Sequence, residues 1–276
     1  MSTARSIGAM KFLQLFGRWR SIVIGMVHLK ALPGSPGCTL PVGQVLEQAC
    51  QEAEVYRKAG IVSNAWSCVI QDGLIVENMN DVPYTLRIGP RLQHPWPLSV
   101  PLSGRHAHDS LSVFRFSLAA ISRPWRLHWR QVNISERRLD FIRAEGFVFS
   151  HVADEGLVHA CAGDLLRYRK EIGAEHIQIF ADIKKKHSSH AVTADVSISE
   201  TARAAEFFLA DGVILTGVAT GQEADAAELK EVQRSVRIPA LVGSGVTLDN
   251  VETYEEASAM IVGSHFKHGG DWRKER

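Results

Sequence analysis

Two short apolar runs near the C-terminal end of the chain each close on a glycine-serine turn: residues 240–242 before Gly243-Ser244-Gly245, and residues 260–262 before Gly263-Ser264. Continuous apolar runs of this length, bounded by turn residues, predict buried parallel strands. Residues 247–258, between them, have the length and polar face of a connecting helix. The same alternation extends upstream. Residues 139–144 predict a strand ending near Arg143 and Glu145, and residues 157–172 an amphipathic helix ending at Gly173. Residues 176–182 predict a strand and 199–209 a helix capped by Ser199; residues 212–216 predict a further strand and 224–236 a further helix. Unbroken strand–helix alternation is the signature of a parallel α/β fold.

In the N-terminal half the pattern is regular at first. Residues 21–28, SIVIGMVH, form a β-branched run followed by a proline-glycine loop, and residues 42–60 carry apolar positions at helical spacing up to Gly60. Residues 73–78, GLIVEN, predict the second strand, with residues 62–71 reading as an insertion before it, because a helix-to-strand loop normally takes two to six residues. From residue 87 to about 138 the pattern is lost. Five of the ten prolines and three of the six tryptophans crowd between residues 87 and 136, with periodicity confined to LSVFRFSLAAI at 111–121. This segment is expected to be degenerate or disordered, contributing at most one improvised helix or strand, so that the third strand of a barrel and its flanking helices are expected to be lost.

A length of 276 residues suits one (β/α)8 TIM barrel, typically about 250 residues, and 45% hydrophobic content supports a large core. We therefore expect one domain over residues 1–276. The net charge of +1 gives no reason to expect a nucleic-acid partner. No apolar stretch of about 18 residues occurs, so no transmembrane helix is expected. Cys38, Cys50, Cys68 and Cys161 lack the spacing of a zinc cluster or disulfide framework. The N-terminal region contains Arg5, Lys11, Arg18 and Arg20 and no acid before Glu47. It reads either as a mitochondrial transit peptide or as a short basic helix over residues 11–20 that closes the bottom of the barrel, with Met10 an alternative start. The location is accordingly mitochondrial or cytoplasmic.

The motifs GMVHLKALPGSP, GLIVENMNDVPY, FIRAEGFVFSHVADEGL, FADIKKKHSSH, LTGVATG, LVGSGVT and IVGSHFK, in this order, resemble the BtpA family across residues 10–61, 72–86 and 139–270. That family takes its name from cyanobacterial members implicated in photosystem I biogenesis or stability. The resemblance implies a single barrel similar to the ribulose-phosphate-binding barrels. Three departures stand out: residues 62–71 are extra, residues 88–138 do not match the family's third strand, and the chain stops soon after the eighth strand's loop. A foreign composition at near-normal length suggests a frame-shifted or misjoined segment, as in an aberrant or alternatively spliced form.

Active sites of such barrels lie just past the C-terminal ends of the strands. The strand-end residues include His28, Glu77, Asn78, Asp81, Arg143, Glu145, Asp182, Lys184, Lys186, His187 and Thr216. Carboxylates and a lysine around one mouth suit proton abstraction or Schiff-base chemistry. Glu77 and Asp182 are the candidate acid and base and Lys184 or Lys186 the candidate cation, with Glu145 and His28 beside them; a purely structural alternative pairs Glu145 with Arg143. Gly243, Ser244, Gly245, Gly263 and Ser264 are expected to hold a ligand phosphate through backbone N–H groups, helped by the helices that follow. His28, His151, His187 and His190 lack metal-binding spacing, so no metal site is assigned and no cofactor is named. The expected activity is that of a lyase or isomerase acting on a small phosphorylated metabolite, a homo-oligomer being compatible with it. The alternatives are a non-catalytic assembly or stability factor and a catalytically defective isoform.

Overall fold

The computed structural model describes residues 7–59, 71–84, 116–120 and 139–270. Eight parallel strands close into a barrel: β1 (Ile22–His28), β2 (Gln71–Glu77), β3 (Phe116–Ala120), β4 (Leu139–Ala144), β7 (Gln178–Asp182), β9 (Gly212–Leu215), β10 (Ala240–Val242) and β11 (Ala259–Val262). β5 (His151–Ala153) and β6 (Gly156–Val158) form a small antiparallel sheet with β8 (Ser188–Ser189). The helices are α1 (Ile7–Phe16), α2 (Val42–Ala59), α3 (Ala162–Glu171), α4 (Ile198–Phe207) and α5 (Ala226–Ser235).

Closure is complete because β1 pairs with β2 on one side, setting His28 opposite Glu77, and with β11 on the other. The expected loss of the third strand is corrected here. Phe116–Ala120, inside the stretch 111–121 where periodicity survived, pairs in parallel with β2 and β4. Five extended residues are enough to bridge neighbours that lie about 10 Å apart across one missing strand. The remainder of residues 87–138, the insertion up to residue 70 and Cys68 lie outside the described residues.

A strand presents alternate residues to opposite faces. Ile22, Ile24 and Met26 therefore join Ile75, Phe141, Phe180, Ile214, Leu241 and Ile261 in the barrel interior. Val27 and Leu74, of the opposite parity, pack with Ala53 and Tyr56 of α2. The bottom of the interior is closed by α1. Phe12 is fully buried, its ring 4.7 Å from that of Phe16 and 5.9 Å from that of Phe180, while Phe16 meets Phe141 at 5.9 Å. Polar ties hold the plug in place: Lys11 Nζ donates to Asp211 Oδ1 at 3.0 Å, and Gln178 Nε2 to the Lys11 carbonyl at 2.8 Å. Of the two readings of the basic N-terminus, the barrel-closing helix is the one seen, starting at Ile7 rather than residue 11.

Three further elements differ from expectation. The helix expected over 157–172 begins only at Ala162, because Gly156, at φ 114°, turns the chain back and pairs Leu157 with Val152. Ser197, not Ser199, caps α4, its Oγ accepting from the Glu200 N–H. Residues 247–258 form no α-helix but one 3₁₀ turn, Val251–Tyr254. Asn250 explains this, since its side chain accepts from Thr247 N and donates to the Gly245 carbonyl, both at 2.8 Å. Such local side-chain bonds compete with helix formation.

Candidate active site

The alternation that fills the interior also selects the mouth. Two residues beyond each last interior side chain stands a residue of the same parity: His28 after Met26, Glu77 after Ile75, Arg143 after Phe141 and Asp182 after Phe180. Thr216 follows Ile214 in the same way, and Gly243 and Gly263 follow Leu241 and Ile261. Each strand thus ends by exchanging an apolar side chain for a polar one, or for none, on the same inner face.

Above this layer lies a cavity of about 270 Å³. Its walls include His28, Glu77, Arg143 and Lys186 on one side, and Gly243–Gly245 with Gly263 and Ser264 on the other. Glu77 is only 9% exposed, and among the described residues nothing hydrogen-bonds its carboxyl. Burial raises its pKa, against the pull of Arg143 and Lys186. Arg143 turns its Nε toward both oxygens of Asp182, at 3.1 Å each, and its Nη2 lies 3.0 Å from Oδ2 but is poorly aligned for a hydrogen bond. Burial alone would lower the Arg143 pKa, but the carboxylates of Asp182, Glu77 and Glu145 outweigh it and keep the guanidinium charged. Asp182 is fully enclosed at its side chain and faces Arg143 rather than the cavity.

Three consecutive lysines follow β7 and take three different positions. Lys184, at φ 47°, swings away and donates to the Thr193 carbonyl at 2.7 Å. Lys185 pairs with Glu145 at 2.6 Å. Burial would raise the Glu145 pKa, yet Lys185 and Arg143 hold it below the usual range. The structural alternative that paired Glu145 with Arg143 is corrected accordingly. Lys186 lines the cavity, its main chain fixed by a 2.9 Å bond from its N–H to Thr216 Oγ1. Burial lowers the pKa of its amine and Arg143 adds to the effect. Next to it, His187 Nε2 accepts the Thr220 N–H at 3.1 Å, tying the loop after β7 to the loop after β9.

The glycine turns have mixed causes. Gly245 takes φ +66°, and a Cβ there would stand 2.3 Å from the main chain of Gln222; a Cβ on Gly243 would stand 2.7 Å from Ile214. Both must be glycine for packing, whatever the cavity holds. The Gly243 N–H is bonded to the Leu215 carbonyl at 2.7 Å, and Ser244 Oγ donates to the carbonyls of Ala219 and Gln222. These two groups are therefore committed within the fold. Gly263 has more room, since a Cβ there would stand 3.2 Å from the Met26 side chain. No α-helix follows either turn, so the helix-dipole contribution expected there is withdrawn; only single 3₁₀ turns, Val251–Tyr254 and Ser264–Phe266, follow.

The cavity thus brings together His28, Glu77 and Lys186 of the sequence-predicted acid–base set with all five turn residues, and leaves Asp182, Lys184 and Glu145 outside its wall. Asn78 and Asp81 serve the loop after β1, Asp81 accepting from Leu32 N at 2.6 Å and from Asn78 Nδ2 at 2.9 Å. Sequence reasoning missed Thr220, Gly221 and His265 as wall residues. Their signal was positional: all follow strands whose ends already pointed at the mouth. His151 and His190 lie apart, rings 5.5 Å from each other beside the β5–β8 sheet. Among the described residues no group of three or more His, Cys, Asp or Glu gathers as a metal site would require, and no helix is long and apolar enough to cross a membrane.

Solved structures with related topology include an aldolase of Escherichia coli K12, at 10% identity and TM-score 0.47 over 94% of this chain and 81% of that one. Another is tryptophan synthase of Mycobacterium tuberculosis, at 16% and 0.48 over 95% and 90%. Curated relatives are nearer. A mitochondrial protein of Caenorhabditis elegans is 43% identical over 95% of this chain and 91% of its own length. A protein of Archaeoglobus fulgidus is 32% identical over 90% and 92%. The photosystem I biogenesis protein BtpA of Synechocystis is 29% identical over 90% and 81%. The BtpA family model matches residues 20–93 and 134–275, leaving unmatched the heart of the segment whose composition is foreign, and on that extent of match this chain belongs to the BtpA family.

Proposed function

We propose that the mouth of the barrel is an active site for a lyase or isomerase acting on a small phosphorylated metabolite. The observation that carries this reading is the shared cavity, in which a buried carboxyl of raised pKa and two cations face a wall of glycine turns. Glu77 is the acid–base group, Lys186 and Arg143 neutralise developing negative charge, and His28 stands opposite Glu77 as a second polar group. The phosphate is held by main-chain N–H groups of the turns at Ser244–Gly245 and Gly263–Ser264, since the Gly243 N–H and the Ser244 hydroxyl are already used. Asp182 positions Arg143. Lys184 and Glu145 shape the loop. A volume of about 270 Å³ suits a compact metabolite and is small for a nucleotide-sized ligand.

A mitochondrial location is supported by the name of the C. elegans relative and by the acid-free, basic N-terminal region. An assembly role has support from the name of the Synechocystis relative and from the exposed apolar group Phe207, Phe208 and Leu209 at the end of α4.

Thermal unfolding in the presence of three- to six-carbon sugar phosphates, each beside its phosphate-free counterpart, tests the reading. Stabilisation by phosphorylated compounds alone, abolished in Ser264→Asp, is expected. Equal response to both members of every pair removes the phosphate site.

A further inference from the structure

The three lysines after β7 share a sequence but not a chemical state. Lys184 and Lys185 are each held by an oxygen acceptor, from Thr193 and Glu145. Lys186 has no hydrogen-bond acceptor or ion-pair partner among the described residues, yet its position is fixed through its own N–H on Thr216 Oγ1. Its amine enters a cavity that also holds the unbonded carboxyl of Glu77. A lysine retained only as a cation would be expected to lie against a carboxylate, as Lys185 does. A fixed, unpaired amine beside an acid is instead the arrangement that carbonyl addition needs.

We infer that Lys186 is a nucleophile that forms a Schiff base with the carbonyl carbon of a short phosphorylated ketose or aldose. The inference rests on the phosphate-site reading above, because the phosphate anchor is what would bring a carbonyl to this amine. The lone pair of Lys186 Nζ forms a C–N bond to the carbonyl carbon, while the carbonyl oxygen takes up a proton. The carbinolamine then loses that oxygen as water, the second proton coming from the Glu77 carboxyl, which is left as carboxylate. The product is a protonated imine. Its positive charge, next to the new carboxylate, withdraws electrons from the adjacent carbon, so a proton can leave that carbon or a C–C bond can break there. Burial and the nearby Arg143 support the step by keeping more of the Lys186 amine unprotonated at neutral pH than is usual for lysine. The charged groups facing it are Arg143, Glu77, Asp182 and Glu145.

The test uses the full chain incubated with dihydroxyacetone phosphate, glyceraldehyde 3-phosphate or ribulose 5-phosphate, then treated with borohydride and mapped by peptide mass spectrometry. Hydride adds to the imine carbon and leaves a stable secondary amine. The expected result is an adduct on Lys186 at least about tenfold above that on the exposed Lys230, the factor a one-unit difference in pKa supplies. Lys186→Arg keeps the cation and should lose the adduct while retaining stabilisation by inorganic phosphate. Stabilisation by phosphate without an adduct on Lys186, or with adduct spread evenly over the lysines, overturns the Schiff base and leaves the phosphate reading standing. Absence of both overturns both.

Discussion

Arg143 and Asp182, at the tips of neighbouring strands β4 and β7, form a buried pair in which Nε approaches both carboxylate oxygens at 3.1 Å. The guanidinium is left facing the cavity while its partner is shut away from it. Removing one member of such a pair leaves an uncompensated buried charge, which costs about 3–5 kcal/mol. Asp182→Asn is expected to lose stability on that scale in denaturant unfolding, and Arg143→Met together with Asp182→Asn to recover part of it. If Asp182→Asn keeps wild-type stability, the pair does not position Arg143 as argued.

Glu77 presents the opposite case, a buried carboxyl with a raised pKa and no bonded partner among the described residues. A folded-state pKa above the unfolded value means that stability is fully present below about pH 4.5 and falls as pH rises through the folded pKa. Glu77→Gln removes that loss. It should therefore melt a few degrees higher than wild type at pH 8, a gain of about 1 kcal/mol, and the two should converge near pH 4. In whatever reaction the site performs, the same variant should bind ligand and fail to turn it over. A lower melting temperature at pH 8 would show that the carboxylate has a stabilising partner.

At the bottom of the barrel, Phe12 lies fully buried among Phe16, Trp19 and Phe180. Truncation of a buried phenylalanine costs about 3–5 kcal/mol through lost transfer energy and the cavity left behind. Phe12→Ala should show that loss, whereas Met10→Ala, at a position 55% exposed, should stay within about 0.5 kcal/mol. Equal effects would mean that α1 is not the barrel's plug.

His151 provides a pH dependence of its own. Burial, reinforced by Lys185 and His190, pushes its pKa down to about 4, below the 6.5 of an unhindered histidine. The unfolded chain therefore binds the extra proton between pH 6.5 and 4, and stability drops as pH falls through that window. Allowing for solvent screening, the drop is about 1–2 kcal/mol. Comparing unfolding midpoints of wild type and His151→Gln at pH 7 and 4.5 isolates it: the variant should lack this component, and parallel losses in both would assign the pH effect elsewhere.

Much of the barrel was legible because buried strands ending in glycine or polar residues announce themselves by composition alone. The strand at Phe116–Ala120 was not, since five residues in a proline-rich, arginine-rich background carry little periodic signal. Their place comes from the two neighbours that need bridging, a non-local cause. The helix expected over residues 247–258 failed for the opposite reason: Asn250 binds its own neighbourhood. In the site, strand-end position found His28, Glu77 and Lys186 as wall residues. It did not separate Lys186 from Lys184 and Lys185, because the positive φ at Lys184 that distributes the three lysines is a property of the folded loop. Nor did it foresee that Gly243 and Gly245 are required by contact with Ile214 and Gln222.

The most direct test of the central claim is a crystal structure of this chain soaked in inorganic phosphate. The account predicts a phosphate in the cavity between the Gly245 and Ser264 turns, within hydrogen-bond distance of main-chain N–H groups and on the same side of the barrel as Lys186. A cavity that stays free of phosphate at saturating concentration, or a phosphate bound instead at the Lys184–His190 side of the loop, would contradict it.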